Sequence, residues 1–584
     1  MTLIRTLLAA LLMLPVVPAA ASSADARLER FLEGEWQRTL EDNPTWASSL
    51  GDRRWNDRWP DLSLEAIAAR HDADVAALAR LDAIDARALA PPGRLDLEMY
   101  RRVLDERIES HRYRRHLVPF NQRGGPHNAY DTVERLRLAS VQDYEDWLAR
   151  VRAVGRLVDQ NLALLAAGLE AGIVQPRIIT ERIAAQLESQ AALEAEQSPW
   201  AKPFLELPDS LPAADRVRLA REGIAAVSEI VLPAIARLDT FFRERYLPAA
   251  RDSVGIWDQP DGREYYAARA RHFTTTDLTP REIHDIGVAE VARIRTAMEG
   301  IREQVGFEGD LAEFFEHLRT DPQFYYETPE ALFEAYLAAS KRVDPELVKL
   351  FGKMPRMPYG VRPIPDAIAP DTTTAYYSRP AADGSRAGYY YVNLYRPEVR
   401  PKYEIEALTI HEAVPGHHFQ IALAMELEGL PAFRRFGGVT AYVEGWALYA
   451  ESLGPELGMY TDPYSKFGQL TYEMWRAVRL VVDTGIHEFG WSRQQAIDYF
   501  RDNAAKTEAD IINEIDRYIA WPGQALAYKI GELKFKELRA RSEAALGEAF
   551  DIRAFHDLVL SNGAIPLDSL ERLVDEWLAN QRGG

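Results

Sequence analysis

The sequence predicts a mainly α protein with one small β element, and three observations carry that expectation. Six long runs, Leu64 to Leu81, Arg94 to Tyr113, Val141 to Ala167, Arg177 to Gln197, Ala213 to Tyr246 and Pro280 to Val305, repeat apolar residues at three- and four-residue intervals, the period of a helix with one buried stripe. Strand patterns are few, and the clearest is the short aromatic segment Gly388 to Tyr395. With 584 residues, 47% hydrophobic content and no cysteine, stability has to come from a large apolar core rather than from disulfides.

Taken in order, residues 1–21 read as a cleavable signal peptide: a short basic start at Met1 to Arg5, an apolar stretch at Leu7 to Val17, and the small residues Ala19 to Ala21 before Ser22. The stretch is too short to span a membrane, no other run approaches about 20 apolar residues, and there is no cysteine for a lipid anchor. A periplasmic or secreted location is therefore expected. Breaks between helices fall at Asn121 to Pro126, at Trp257 to Gly262 and across Gly352 to Gly388. The last is long for a structureless connection, so it is expected to pack against the cleft. The segment Asn121 to Asn128 reads either as a plain helix connection or as a loop reaching into the cleft. An amino-terminal helical half, 22–275, and a second half, 276–584, would enclose a deep channel.

The second half carries the chemistry. Three of the chain's twelve histidines lie in the run His411-Glu412-Ala413-Val414-Pro415-Gly416-His417-His418. Neutral imidazoles and a carboxylate hold zinc in catalytic sites, and a glutamate beside the first ligand can accept a proton from water. The spacing departs from the usual H-E-x-x-H pattern, because position 415 is proline. On a regular helix His417 would sit about 120° round from His411, and His418 about 20° round but roughly 10.5 Å further along. Pro415 cannot donate to the carbonyl of His411 and Gly416 tolerates unusual dihedrals, so a local distortion is expected to return one histidine to the metal. Both His417 and His418 remain candidates. The third ligand is expected from the helix at Tyr442 to Ser452, either Glu444 or Glu451 seven residues on, which shares its face.

At this point the chain resembles a known group. The run YYYVNLYRPEVRPKYEIEALTIHEAVPGHHFQ, with YVEGWALYAE and YIAWPGQALAYKIG downstream, is similar to the bacterial family called domain of unknown function 885. More distantly it resembles the helical gluzincin peptidases, including angiotensin-converting enzyme and the thermostable carboxypeptidases. The resemblance implies a metallopeptidase-like fold with two helical halves around a deep cleft and the β element beside the zinc helix. It implies His417 over His418, because a Gly-His pair closes the zinc motif there, and it implies Glu444, which follows His417 by 27 residues. It also implies that the strand with Tyr391 and Asn393 aligns a peptide. Arg517-Tyr518 resembles an Arg-Tyr pair that serves the oxyanion, with Tyr528 as the second choice.

Further substrate contacts are expected from the run Tyr472 to Phe489. Asp483 and His487 are spaced for a carboxylate to orient an imidazole, and Arg476 and Arg479 could pair with a peptide carboxylate. Gln524 joins this set through its motif. The expected activity is that of an exported peptidase with one zinc per chain, acting on oligopeptides with Glu412 as general base. The alternatives are a zinc hydrolase of an ester or cell-wall amide, and an inactive binding protein on the same scaffold. A net charge of −20 argues against nucleic acid and anionic lipid as partners.

Overall fold

The computed structural model describes residues 23–365, 369, 373–384 and 386–583. The expected leader at 1–21 lies outside the described residues. Helix accounts for 71% of the structure and strand for 3%, so the mainly α expectation holds. The run Val141 to Ala167 divides into Val141–Arg152 and Val154–Ala171. Ala213 to Tyr246 is one long helix interrupted by π turns at Val227–Val231 and Phe242–Tyr246. Each interruption precedes a proline, Pro233 or Pro248, which has no N–H for the carbonyl four residues back, and a π turn absorbs the missing bond. No helix among the described residues is long and apolar enough to cross a membrane.

One apolar cluster runs through both sequence halves. It joins Trp147, Leu187 and Val231 to Ile405, Leu408 and Tyr442, all buried. The helices that build the site are labelled α1 Ile405–Glu412, α2 His417–Glu426, α3 Thr440–Ser452, α4 Pro463–His487, α5 Glu508–Ala520 and α6 Ala527–Leu546. From Phe467 onward every residue of α4 is buried. Helices α3 and α6 cross backbone to backbone at two glycines: a Cβ on Gly531 would lie 2.0 Å from the Ala441 carbonyl, and one on Gly445 would lie 2.5 Å from Gly531. This contact holds Glu444 and Tyr528, three residues from either glycine or closer, near one another.

The β element is a sheet of β1 Tyr359–Pro363, β2 Ala375–Ser378 and β3 Gly388–Val392, in the order β1-β3-β2. Strand β3 runs parallel to β1, from Tyr359 opposite Gly388, and antiparallel to β2, from Ala375 opposite Val392. The strand expected to align a substrate is thus the central one, with both edges already paired. The free edges belong to the outer strands β1 and β2, both inside the Pro- and Gly-rich stretch.

Candidate metal centre

The histidine run is a helix broken and restarted. Helix α1 ends at Glu412, Ala413 and Gly416 leave helical dihedrals (ψ −106° and −128°), and α2 begins at His417. The Val414-Pro415 peptide is cis. Two hydrogen bonds fix the break: Gly416 N–H donates to the Ile410 carbonyl at 2.9 Å, and the Trp446 indole donates to the Pro415 carbonyl at 2.8 Å. A side chain at 416 is excluded, since a Cβ there would lie 2.0 Å from the His411 carbonyl oxygen. The outcome is that the His411 and His417 rings meet edge to face, 4.8 Å between centres.

Glu444 completes the group. Its Oε2 is 3.4 Å from His417 Nε2 and 4.0 Å from His411 Nε2, and one ligand atom from each residue lies within 4.8 Å of the others. Among the described residues no other set of three His, Cys, Asp or Glu side chains converges in this way. Glu451 is not part of the set. It stands behind His411, with Oε1 2.7 Å from Nδ1, which turns Nε2 toward Glu444. Its second oxygen is buried without a partner, and burial pushes its carboxyl up to about 8 against the pull of Arg476. Burial disfavours charge on both members of the His417–Glu444 pair, yet their mutual attraction prevails: His417 is raised and Glu444 lowered. Burial drives His411 well below the ordinary imidazole range and pushes Glu412 up.

His418, the alternative ligand, faces away. Tyr377 Oη lies 2.9 Å from its Nδ1 and the Met357 carbonyl 3.0 Å from its Nε2. Both nitrogens are committed to holding β2 and the chain before β1, so His418 is a structural residue.

Several other expectations need correction. The Tyr518 hydroxyl donates to Glu514 at 2.5 Å and accepts from Arg479 Nε at 2.9 Å and from the Trp475 indole at 3.2 Å. With its proton spent on Glu514, it has nothing to offer an oxyanion. Tyr528 lines the cavity instead, and its oxygen accepts from Arg517 at 3.3 Å and Gln524 at 3.4 Å, leaving its own proton to donate. Gln524 also accepts from Arg517 and lies outside the cavity wall, as a positioning group. His487 accepts from Ile256 N–H at 3.1 Å and meets the Tyr518 carbonyl at 2.9 Å. Burial takes it down to about 3, so it is a neutral tether rather than a substrate contact. Asp483 does not orient it but accepts from Tyr266 at 2.6 Å and Gly523 at 3.0 Å.

On β3, Tyr391 stacks on Tyr376 with 4.9 Å between rings. Asn393 is fully buried and donates to the carbonyls of Ala369 at 2.8 Å and Thr373 at 3.2 Å. Neither lines the cavity of His411 and His417. Arg479 does reach the cavity, where it pairs with Glu514 at 3.0 Å and keeps Nη1 unbonded.

The cavity, about 380 Å³, is walled by His411, Glu412, His417, Glu444, Tyr528 and four arginines, 123, 476, 479 and 517. Sequence reasoning did not assign Arg123, which comes from the segment Asn121 to Asn128, nor β2, whose Ala375 to Tyr377 run along the same wall. The ambiguous reading of that segment as a loop entering the cleft was the one available signal for Arg123.

Two histidines and a glutamate converge beside a further glutamate in a cavity of a mainly helical protein. The chain belongs to the bacterial proteins of unknown function termed DUF885, whose family model matches residues 44–574. It is similar to the "putative lipoprotein" from Colwellia psychrerythraea of known crystal structure, with 31% identity, a TM-score of 0.89, and coverage of 96% of this chain and 100% of that one. A "putative lipoprotein of unknown function" from Shewanella oneidensis shares the fold alone, at 19% identity and a TM-score of 0.71, covering 95% of this chain and 100% of its own. No curated protein matches the chain.

Proposed function

We propose that the protein is an exported zinc-dependent peptidase acting on short peptides. The observation that carries this reading is the convergence of His411, His417 and Glu444 in a cavity that also contains a glutamate, Glu412, with no place in the ligand set. The donor set suits zinc: two imidazoles and a carboxylate, with His411 turned by a buried carboxylate behind it as metal-binding histidines usually are. The 3.4 Å between His417 and Glu444 is close to the spacing of donors around a tetrahedral ion with bonds of about 2.0–2.1 Å. A bound zinc ion would supply Lewis acidity, lowering the pKa of water and polarising a carbonyl.

The chain's own residues supply the rest. Glu412 faces the cavity from the residue after His411, and its burial raises its proton affinity, which suits a base that accepts a proton from water and passes it to a leaving amine. Tyr528 can donate to the oxygen on which negative charge develops. The free edge of β2 at the wall is placed to pair with an extended peptide backbone. Export is supported by the leader-like start of the sequence and by the names of the two similar structures.

The test is mass spectrometry of a mixed oligopeptide pool incubated with the mature protein and with its Glu412→Gln variant, alongside metal analysis of both. The expected result is about one zinc in each protein, with cleavage at least roughly 10²-fold slower in the variant. Equal cleavage by both removes Glu412 as the base. Zinc without cleavage by either moves the weight to another bond or to a binding role.

A further inference from the structure

A second chamber of about 430 Å³ opens beside the metal cavity, and the two share Arg123, Arg517 and Trp521 in their walls. Four arginines face it, Arg115, Arg123, Arg251 and Arg517, and no aspartate or glutamate lines it. In a chain with 89 acidic and 69 basic residues, carboxylate partners are not scarce, so their absence at this one place calls for a reason.

The hydrogen bonds show how these cations are held. Arg115 donates to the neutral Gln259 and lies over the Tyr265 ring at 5.1 Å. Arg251 donates to the carbonyls of Val174, Ser253 and Gly255 and to the Ser253 hydroxyl. The Arg123 guanidinium makes no ion pair among the described residues. Arg517 shares a single carboxylate, Glu514, with Arg479, at 3.3 and 3.0 Å. Burial lowers the proton affinity of Arg115 and Arg251, the latter to about 10, whereas Arg123 is exposed at its place in the wall. Asp258 counters this for Arg251 only from a distance. Loop pinning accounts for the bonds of Arg251. It does not account for a chamber whose wall carries four guanidinium groups and no carboxylate, with Glu514 the one counter-charge that pairs with any of them among the described residues. Guanidinium groups held by neutral partners keep their charge for a ligand and match a carboxylate in a planar, two-pronged fashion.

We propose that this chamber is a carboxylate-binding extension of the cleft that seats the acidic end of the substrate, so that the protein selects peptides carrying negative charge. The carboxylate can come from the chain terminus or from acidic side chains near it. The word substrate rests on the peptidase reading, but the binding does not require cleavage.

The experiment measures peptide affinity by calorimetry on the full-length Glu412→Gln protein, where bound peptide persists. Four alanine-based hexapeptides are compared: a pair of glutamates near a free carboxyl end, the same pair with an amidated end, a free end with glutamines, and glutamines with an amidated end. The peptide with both the glutamates and the free carboxyl end is expected to bind about tenfold or more tightly than the one with neither, and the two intermediate peptides assign the effect to the terminus or to the side chains. Arg123→Gln is expected to remove most of that preference and Arg123→Lys to restore part of it. Arg115→Gln serves as the second variant should the first fail to fold. Equal affinity for all four peptides, no measurable binding of any, or a preference that survives Arg123→Gln and Arg115→Gln overturns the proposal. Acid-selective binding without cleavage by the parent protein would leave this inference standing and remove the peptidase reading. Cleavage without acid selectivity would do the reverse.

Discussion

Two buried polar clusters sit on neighbouring faces of helix α6, and they are built on opposite terms. Lys529 is fully buried with its ammonium 2.9 Å from Glu290, 2.9 Å from Glu473 and 2.6 Å from Glu532. Glu473 also meets Arg293 and, at 3.2 Å, Lys536. Burial opposes charge there, yet the ion pairs win, holding Lys529 above and Glu473 well below their ordinary ranges. One residue earlier, Tyr528 faces the cavity, where Arg479 Nη1, Arg476 Nε and His417 Nδ1 are buried with no hydrogen-bond partner. A protein that can satisfy a buried cation three times over has left these atoms open. Buried polar groups without partners are costly; the Glu532 oxygens also accept no hydrogen bond, but Lys529 and Lys536 pair with them, and no such pair reaches Arg476 among the described residues.

The histidines draw the same contrast at closer range. His418, His487 and His556 each use both ring nitrogens: for His556 the partners are the Tyr449 hydroxyl at 2.8 Å and the Leu350 carbonyl at 2.9 Å. His411 and His417 instead present Nε2 to the same Glu444 oxygen. Adjacent residues therefore differ in kind, and paired variants test it with the largest effect expected. His417→Ala should abolish zinc binding and any cleavage while changing the unfolding free energy of the metal-free protein little. His418→Ala should keep about one zinc per chain and lose on the order of 1–3 kcal/mol of stability, because two buried partners are left unbonded. Metal analysis and urea unfolding of both separate the roles. Zinc retained by His417→Ala and lost by His418→Ala would exchange the two assignments.

The satisfied knot gives the next effect. Lys529→Met leaves Glu473 and Glu532 buried without their central cation and should cost about 3–5 kcal/mol, read from the shift of the urea midpoint. Zinc content per folded molecule should stay the same, since none of the three ligands touches Lys529. A folded variant that has lost its zinc would mean that the two clusters are one unit, and the contrast would fall.

What the sequence made legible follows how local each feature is. The helices were readable because their period is local, and so was the break in the histidine run, because Pro415 and Gly416 sit inside it. The sheet was only half readable. Gly388 to Val392 has the composition of a strand, but its place in the centre depends on β1 and β2, hidden in a stretch whose prolines and glycines read as a break. Tyr518 and Tyr528 could not be ranked, because the choice turns on where Glu514 and Arg479 point. Arg123 lies almost three hundred residues from His411 and enters the cavity only through the tertiary fold. Seven residues, two turns, separate Glu444 from Glu451, so sequence placed both on one face. The fold gives them different jobs, one at His411 Nε2 and the other at Nδ1.

That division predicts an effect of smaller size but of split sign. Glu451 orients His411 through one oxygen on Nδ1, and it does so with the other oxygen buried and unbonded, a cost to the fold offset by the orientation of the imidazole in front of it. Glu451→Gln keeps an oxygen that can accept from Nδ1 and removes the ionisable carboxyl. Outer carboxylates of this kind typically account for about 10–100-fold in metal affinity, so zinc binding, measured by competition with a chelator, should weaken within that range. The metal-free variant should be as stable as the parent or more so, because a buried, half-satisfied carboxylate has been replaced by a neutral group. A structural carboxylate would lose stability and leave zinc affinity alone, whereas a direct ligand would lose zinc altogether. Only a group that acts on the metal through His411 lowers affinity while sparing the fold.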